Sequence, residues 1–421
     1  MIISSRASMI PQKGRHHPRT SSERFQGIDM MSEPTEQSIV SDPTTFEEAR
    51  KGAAEYLQSR LSTKDKHTND RDPFHIPIID LTPSFSTSLI DRQNVADQMR
   101  EACITSGFFY ITGHGIPEST REGILHQAKR FAHDLPVEKK QELHVKNNKF
   151  GLGWEPSEYT SIAGDKESKD VFNFAYEEAL DRSGGDGLYR NLDGSKNKAN
   201  MWPSETDLPG FYEAVKEYYG AILDLSRHIF RLFALSLSLP ESYFDPLTTH
   251  PGGICRLLYY PPPAHPLPTS PSSSEDISPI GLGAHSDYEC FTLLLTSTTP
   301  GLEILTPSGT WHIASHIPGA FIVNIADFLM RWTNGLYKST VHRVVNRSAE
   351  PRYSVPFFFS VNYDTVVETL PGCLKEGETP KWKPIRAGSG FQLCAISAPY
   401  RNNRIVPSKF YYPAYDYIVP S

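Results

Sequence analysis

Beyond Pro240 the chain breaks into short β-prone runs: CRLLYYPPP (255–263), FTLLLTS (291–297), LEILTP (302–307), GAFIVNIAD (319–327), VHRVVN (341–346) and YSVPFFFSVNY (353–363). Each is rich in branched or aromatic residues and is closed by glycine, proline or asparagine, which punctuate the backbone too often for long helices. Many short strands at close spacing predict a β-sandwich or a closed barrel. The chain before Pro240 reads differently. IPIIDL (76–81) and GFFYITGHGIP (107–117) are strand-like, 94–107 is a helix stopped by Gly107, and a further helix lies near 118–134. From Leu208 to Leu239, Phe211, Val215, Tyr218, Ile222, Leu225, Ile229 and Leu232 recur at helical spacing, which predicts one long amphipathic scaffold helix.

Three regions follow. Residues 1–73 read as a disordered tail, carrying a short helix over 46–61 (Thr44 and Glu47 have capping-box spacing) and a charged linker. Residues 74–240 form a helical and strand region that packs on the core, and residues 241–421 form the β-rich core with a C-terminal segment. Hydrophobic residues make up only 38% of the chain, and the deficit is concentrated in that tail.

A net charge of −7 without a basic stripe argues against a nucleic-acid partner. The five cysteines are scattered and form no Cys-x-x-Cys pair, so a reducing, cytoplasmic setting is expected. No apolar window has membrane-spanning length; HIFRLFALSLSL (228–239) is interrupted by Arg231. Arg6, Lys13, Arg15 and Arg19, with no acid before Glu23, resemble a mitochondrial transit peptide, but an amphipathic stripe is missing and a plain tail is the preferred reading.

Within the β-rich half, GAHSDYECFTLLL (283–295) sets His285 and Asp287 two residues apart ahead of an apolar strand. In extended backbone such side chains share a face. Alone, the pair is more often a solvated strand end than a site. His342, several strands downstream, supplies a third donor. Two imidazoles and one carboxylate make the facial triad of non-haem Fe(II), although zinc also accepts this donor set. Ten residues on, Arg352 and Ser354 share another strand face. A buried guanidinium needs a partner, which is either a protein carboxylate or, beside a triad, the distal carboxylate of a dicarboxylate cosubstrate held by the guanidinium fork and the serine hydroxyl. Tyr260 could add a phenolic hydrogen bond.

In order along the chain, IPIIDL, GFFYITGHGIP, WP (202–203), YYP (259–261), HSD (285–287), NIAD–NG–YKSTVHRVVN (324–346) and RYS (352–354) resemble the 2-oxoglutarate and Fe(II)-dependent dioxygenase superfamily, in its isopenicillin N synthase-like branch. The resemblance covers roughly 74–400. It implies an α+β fold with a double-stranded β-helix (jelly-roll) core buttressed by helices. It also implies iron ligands His285, Asp287 and His342, and cosubstrate contacts from Arg352, Ser354 and Tyr260. The implied activity is hydroxylation or desaturation of a small organic metabolite in secondary metabolism, using Fe(II), 2-oxoglutarate and O2 and releasing succinate and CO2, by a monomeric enzyme. The alternatives are a 2-oxoglutarate-independent oxidase or cyclase, in which Arg352 and Ser354 hold a substrate carboxylate, and a non-catalytic sensor on the same barrel. Ala326 stands where this branch usually has glycine, and the serine-rich loop after Pro263 is long for it.

His114, His312 and His316 read as turn or outer-face residues, Cys290 as a buried structural thiol, and Trp332, Asn334 and Asn346 as packing or supporting groups. The substrate pocket is expected among 145–180, the strands near Phe291 and Phe357–Phe359, and 390–412.

Overall fold

Helices give way to strands along this chain as its apolar residues switch from helical to two-residue spacing. The computed structural model describes residues 43–62, 74–162, 165–196, 199–268, 271, 280–388, 400–401 and 404–405. The expected N-terminal tail and transit segment, the linker, most of the serine-rich loop and most of the 390–412 wall lie outside the described residues.

In chain order the first elements are α1 (Pro43–Ser62), β1 (Ile78–Asp80), α2 (Leu89–Thr105), β2 (Phe108–Thr112), α3 (Glu118–His133), α4 (Val137–Glu142) and β3 (Gly153–Glu155). The short pair β4 (Ser161–Ile162) and β5 (Asp165–Lys166) follows, then β6 (Asp170–Ala175) and α5 (Phe211–Ser236). Helix α2 begins earlier than the sequence pattern suggests, because the Ser88 hydroxyl caps it by accepting from the Asp91 N–H at 3.4 Å. Gly107 follows its Ser106 C-cap; there φ is +69° and a Cβ would stand 2.2 Å from the Lys338 carbonyl oxygen, so only glycine fits.

The remaining strands are β7 (Gly253–Tyr260), β8 (Leu282–His285), β9 (Phe291–Thr296), β10 (Leu302–Leu305), β11 (Trp311–Ile313), β12 (Phe321–Ile325), β13 (His342–Val344) and β14 (Arg352–Phe359), with α6 (Asp327–Trp332) between β12 and β13. They build an eight-stranded sheet in the order β1-β2-β12-β9-β14-β7-β6-β3 and a four-stranded sheet in the order β11-β10-β13-β8. Strands from both sides of Pro240 share the large sheet. Its one parallel pair is β1 with β2, so the sheet is mixed and the fold is α+β.

Strand β14 shows how the layers stack. Tyr353, Val355, Phe357 and Phe359 face the helices, while Arg352, Ser354 and Phe358 face the other way. On the helix side, Tyr219 meets Phe357 with centroids 5.2 Å apart, and Phe230 meets Phe291 at 5.8 Å and Phe359 at 5.6 Å. Each such ring removed from water contributes on the order of 2–3 kcal/mol. Phe291, Phe357 and Phe359 therefore anchor the sheet to α5 and do not line a substrate pocket; of the expected phenylalanines only Phe358 lies on the inner side. Pro356 has no N–H to offer, and the β14–β7 ladder skips the positions between Ser354 and Phe357. On the inner side, Phe108, Tyr110, Leu258, Tyr260, Leu294 and Ile322 of the large sheet join Leu302, Ile304 and Val344 of the small one in a second core. The lumen between the sheets is where the polar residues converge.

Candidate metal centre and cosubstrate pocket

His285 ends β8 and His342 opens β13, and the two are direct cross-strand partners with ring centroids 4.3 Å apart. Asp287 lies in the bend after β8. Its Oδ1 is 3.4 Å from His285 Nε2 and 3.6 Å from His342 Nε2. One donor atom from each of the three side chains falls within 4.8 Å of the others, a spacing one metal ion can bridge. Each imidazole donates its Nδ1 proton to a backbone carbonyl, His285 to Gly283 at 2.8 Å and His342 to Thr340 at 3.1 Å. That fixes the tautomer and leaves both Nε2 lone pairs for a metal.

Sequence reasoning missed what orients the carboxylate. Asp287 Oδ2 accepts from the Thr292 hydroxyl and from Asn324 Nδ2 at 2.7 Å, which turns Oδ1 toward the imidazoles. Burial alone would raise this carboxyl, but the two histidines and Thr292 hold it below the ordinary carboxylate range. Burial, with His285 alongside, pushes His342 down to about 4, so its ring is neutral near pH 7. An ionised carboxylate and a neutral imidazole are the forms that ligate. The signal for Asn324 was available: it is the one polar residue in FIVNI, on the lumen-facing parity.

The small sheet holds His342 in place through a buried acid. Glu303 on β10 accepts from Arg343 Nε and from Arg347 Nε, both at 2.7 Å, and the Arg343 guanidinium lies 4.0 Å from the Trp311 ring centroid. On the other flank, the Glu167 carboxylate accepts the Gly283 N–H at 3.2 Å and pairs with Lys169 at 2.7 Å.

Arg352 and Tyr260 are cross-strand partners, with the guanidinium 5.0 Å from the phenol ring centroid. Arg352 is 1% exposed and donates from Nη1 to Ser354 Oγ at 3.1 Å, while its buried Nε has no acceptor. Among the described residues no carboxylate forms an ion pair with it. Burial lowers its pKa, opposed by Tyr260. Gly301 makes room for it, since a Cβ there would stand 2.8 Å from Arg352 Cδ. Arg352, Ser354 and Tyr260 thus form one cluster in the lumen and the three metal-type donors another.

Two descriptions cover most of the described chain. Residues 76–205 match the family "non-haem dioxygenase in morphine synthesis N-terminal", and residues 251–361 match the "2OG-Fe(II) oxygenase superfamily". The chain belongs to the 2OG-Fe(II) oxygenase superfamily. It is 38% identical over 314 residues to the 2-oxoglutarate-Fe(II) type oxidoreductase hxnY of Emericella nidulans, covering 73% of this chain and 86% of that one. It is 32% identical over 304 residues to homoarginine-6-hydroxylase 2-ODD-C23 of Glycine max, covering 70% and 88%. The structure of a full-length Neurospora crassa protein in complex with alpha-KG and thymine superposes with a TM-score of 0.64 at 25% identity, over 78% of this chain and 98% of that one. This oxygenase accordingly has the jelly-roll architecture its motifs imply. It is an Fe(II)- and 2-oxoglutarate-dependent oxidoreductase with a facial-triad metal site, acting on a small metabolite.

The other singled-out residues lie apart. His114 Nε2 meets the Gly319 carbonyl at 2.8 Å, and His312 packs edge-on against Phe74 at the margin of the small sheet. Cys290 is fully buried on the helix side, where burial raises its thiol pKa. Trp332 packs on Phe230 and Phe244, Asn334 accepts from the Lys381 N–H at 2.9 Å, and Asn346 donates to the Pro261 carbonyl at 3.1 Å and the Glu350 carbonyl at 3.0 Å. Among the described residues no helix is long and apolar enough to cross a membrane.

Proposed function

We propose that His285, Asp287 and His342 hold the Fe(II) and that Arg352, Ser354 and Tyr260 bind the distal carboxylate of 2-oxoglutarate. The observation that carries this reading is Arg352: a fully buried guanidinium with no carboxylate partner among the described residues, in the same lumen as three metal-type donors. A cation so placed is costly unless an anion arrives to pair with it. Its fork suits a carboxylate, and Ser354 and Tyr260 offer hydroxyl donors beside it. Bound at the triad, Fe(II) supplies the redox chemistry that couples O2 to oxidative decarboxylation of 2-oxoglutarate and to hydroxylation or desaturation of a substrate C–H bond.

The chain's own residues supply position and dryness. Thr292 and Asn324 hold the Asp287 carboxylate with Oδ1 turned toward the imidazoles, where it would ligate the metal, and the two backbone carbonyls hold the imidazoles. Leu258, Leu294, Leu302 and Val344 keep water from the space between the two clusters. The net charge of −7 supports a small-molecule partner over nucleic acid, and we read the enzyme as a cytoplasmic monomer.

The test needs no substrate. Fe(II) and then 2-oxoglutarate are added anaerobically, and the visible charge-transfer band of the chelated 2-oxo acid is recorded. A saturable band in the wild type that is lost in Arg352→Ala at the same concentration is expected. Iron binding with no such band overturns the cosubstrate assignment and leaves Arg352 for a substrate carboxylate.

A further inference from the structure

Two residues past Asp287, the chain buries a second acid for which neither the metal nor the cosubstrate has a use. Glu289 is 6% exposed, its Oε2 has no hydrogen-bond partner, and among the described residues no lysine or arginine lies within ion-pair distance. Three other buried acids have cationic partners. Glu167 and Glu155 share Lys169, at 2.7 and 3.5 Å, and Glu303 is clamped by two arginines.

A second acceptor stands nearby in the same condition. Asn173 on β6 is 2% exposed, and its Oδ1 has no donor. Arg256 on β7 links the two: it stands across the strands from Asn173, and its charge reaches Glu289. The surroundings are apolar and aromatic: Arg256 lies over the Phe358 ring at 5.5 Å, Phe358 and Phe150 pack against the cluster that holds Ile254, and Tyr189 and Tyr363 are near enough to feel the Glu289 charge.

Buried acceptors without donors are rare and costly, and a ligand commonly completes them. Two acceptors need two donated protons. A hydroxyl has one to give, whereas an amino, amide or amidinium nitrogen group has two or more. Resting on the 2-oxoglutarate-dependent reading above, we infer that Glu289 and Asn173 form the substrate-anchoring subsite of this oxygenase and that its substrate is a nitrogenous molecule giving N–H hydrogen bonds to both. The apolar body of that molecule lies against Phe358 and Ile254, with a C–H bond toward the metal donors next to Glu289.

A matched probe series tests this on protein loaded anaerobically with Fe(II) and 2-oxoglutarate. Benzamidine (a cation), benzamide (a neutral N–H donor), benzyl alcohol (one O–H) and N,N-dimethylbenzamide (no donor) are titrated by calorimetry, while the charge-transfer band is recorded separately. The expected result is saturable binding of benzamidine or benzamide at least tenfold tighter than that of N,N-dimethylbenzamide or benzyl alcohol. Which of the two binds better tells a cationic from a neutral nitrogen. Glu289→Gln, and separately Asn173→Leu, should erase that preference with the band intact. Equal affinity across the four probes in the wild type, which needs no variant to fold, overturns the subsite, as does an unchanged preference in folded Glu289→Gln. Loss of the band with the N–H preference kept refutes the cosubstrate reading alone.

Discussion

Replacing Arg352 by lysine keeps the positive charge and removes the fork, so it isolates what the planar guanidinium contributes. In the structure Nη1 is engaged with Ser354 at 3.1 Å, and Nε is buried without an acceptor. A distal carboxylate can therefore take two charge-assisted hydrogen bonds from arginine, and a lysine ammonium on a shorter stem can supply one. Each such bond contributes about 1.5–3 kcal/mol. Losing one weakens 2-oxoglutarate binding by about 10- to 150-fold. The measurement is the dissociation constant from the anaerobic charge-transfer titration, with iron affinity measured in parallel. A companion titration with 2-oxobutyrate, which has the 2-oxo acid end but lacks the distal carboxylate, completes a double-mutant-type cycle. Wild-type protein should strongly prefer 2-oxoglutarate, and Arg352→Lys should lose most of that preference. A 2-oxoglutarate constant within threefold of wild type, or an unchanged preference, refutes the assignment of Arg352 to that carboxylate.

Thr292→Val removes one of the two donors to Asp287 Oδ2 without changing volume; Fe(II) affinity should fall about 10- to 100-fold, measured by competition with a chelator. Gly301→Ala places a Cβ 2.8 Å from Arg352 Cδ. It should weaken 2-oxoglutarate binding at least as much as Arg352→Lys, with iron binding unaffected in the same titrations. Away from the lumen, Arg227 forks onto the buried Asp181 carboxylate at 3.0 and 2.7 Å. Burial opposes that charge, but Arg227 and Ser183 hold the Asp181 pKa below its ordinary value. A depressed carboxyl stabilises the fold above the unfolded-state pKa of about 4 and loses that contribution as pH falls below it. Arg227→Met should thus cost about 2–3 kcal/mol near pH 7, discounted for the part-exposed guanidinium, and less at acid pH; urea unfolding at several pH values checks both.

Much of the lumen was legible because strand parity is strict. His285 with Asp287, and Arg352 with Ser354, are i, i+2 pairs, and the same rule that makes them neighbours in sequence sets each pair on one face. The long helix was legible from seven apolar positions at helical spacing, all of them buried in α5. What sequence reading could not assign was which parity is inner. Phe357 and Phe359 look as able to line a pocket as to pack a helix, and only the placement of α5 against the large sheet decides it. The start of α2 was set by a single serine cap. The Glu303 clamp joins β10 to two arginines on and after β13, and contacts at that separation leave no local periodicity to read. Asn324 and Glu289 were visible as polar residues in apolar surroundings, and the reading passed over both.

Strand β8 is the outermost strand of the small sheet, matched to β13 at only two positions with an irregularity between them. One of those two matches is His285 with His342, so an ion held there rivets an edge strand to its neighbour. In that respect Fe(II) acts on the folded chain as a cross-link. By mass action, iron at a hundredfold excess over its dissociation constant adds about 2.7 kcal/mol to the stability of the seam. Without it, the strand is kept in place by Glu167 on the Gly283 N–H, a short ladder and backbone bonds at its two ends, such as Gly281 N–H to the Val344 carbonyl and Asp327 N–H to the Asp287 carbonyl, and a strand released from a sheet margin is a template for association. Iron supply then bears on how long the molecule survives in the cell as well as on whether it turns over, and metal starvation should appear first as protease sensitivity and aggregation around residues 280–290.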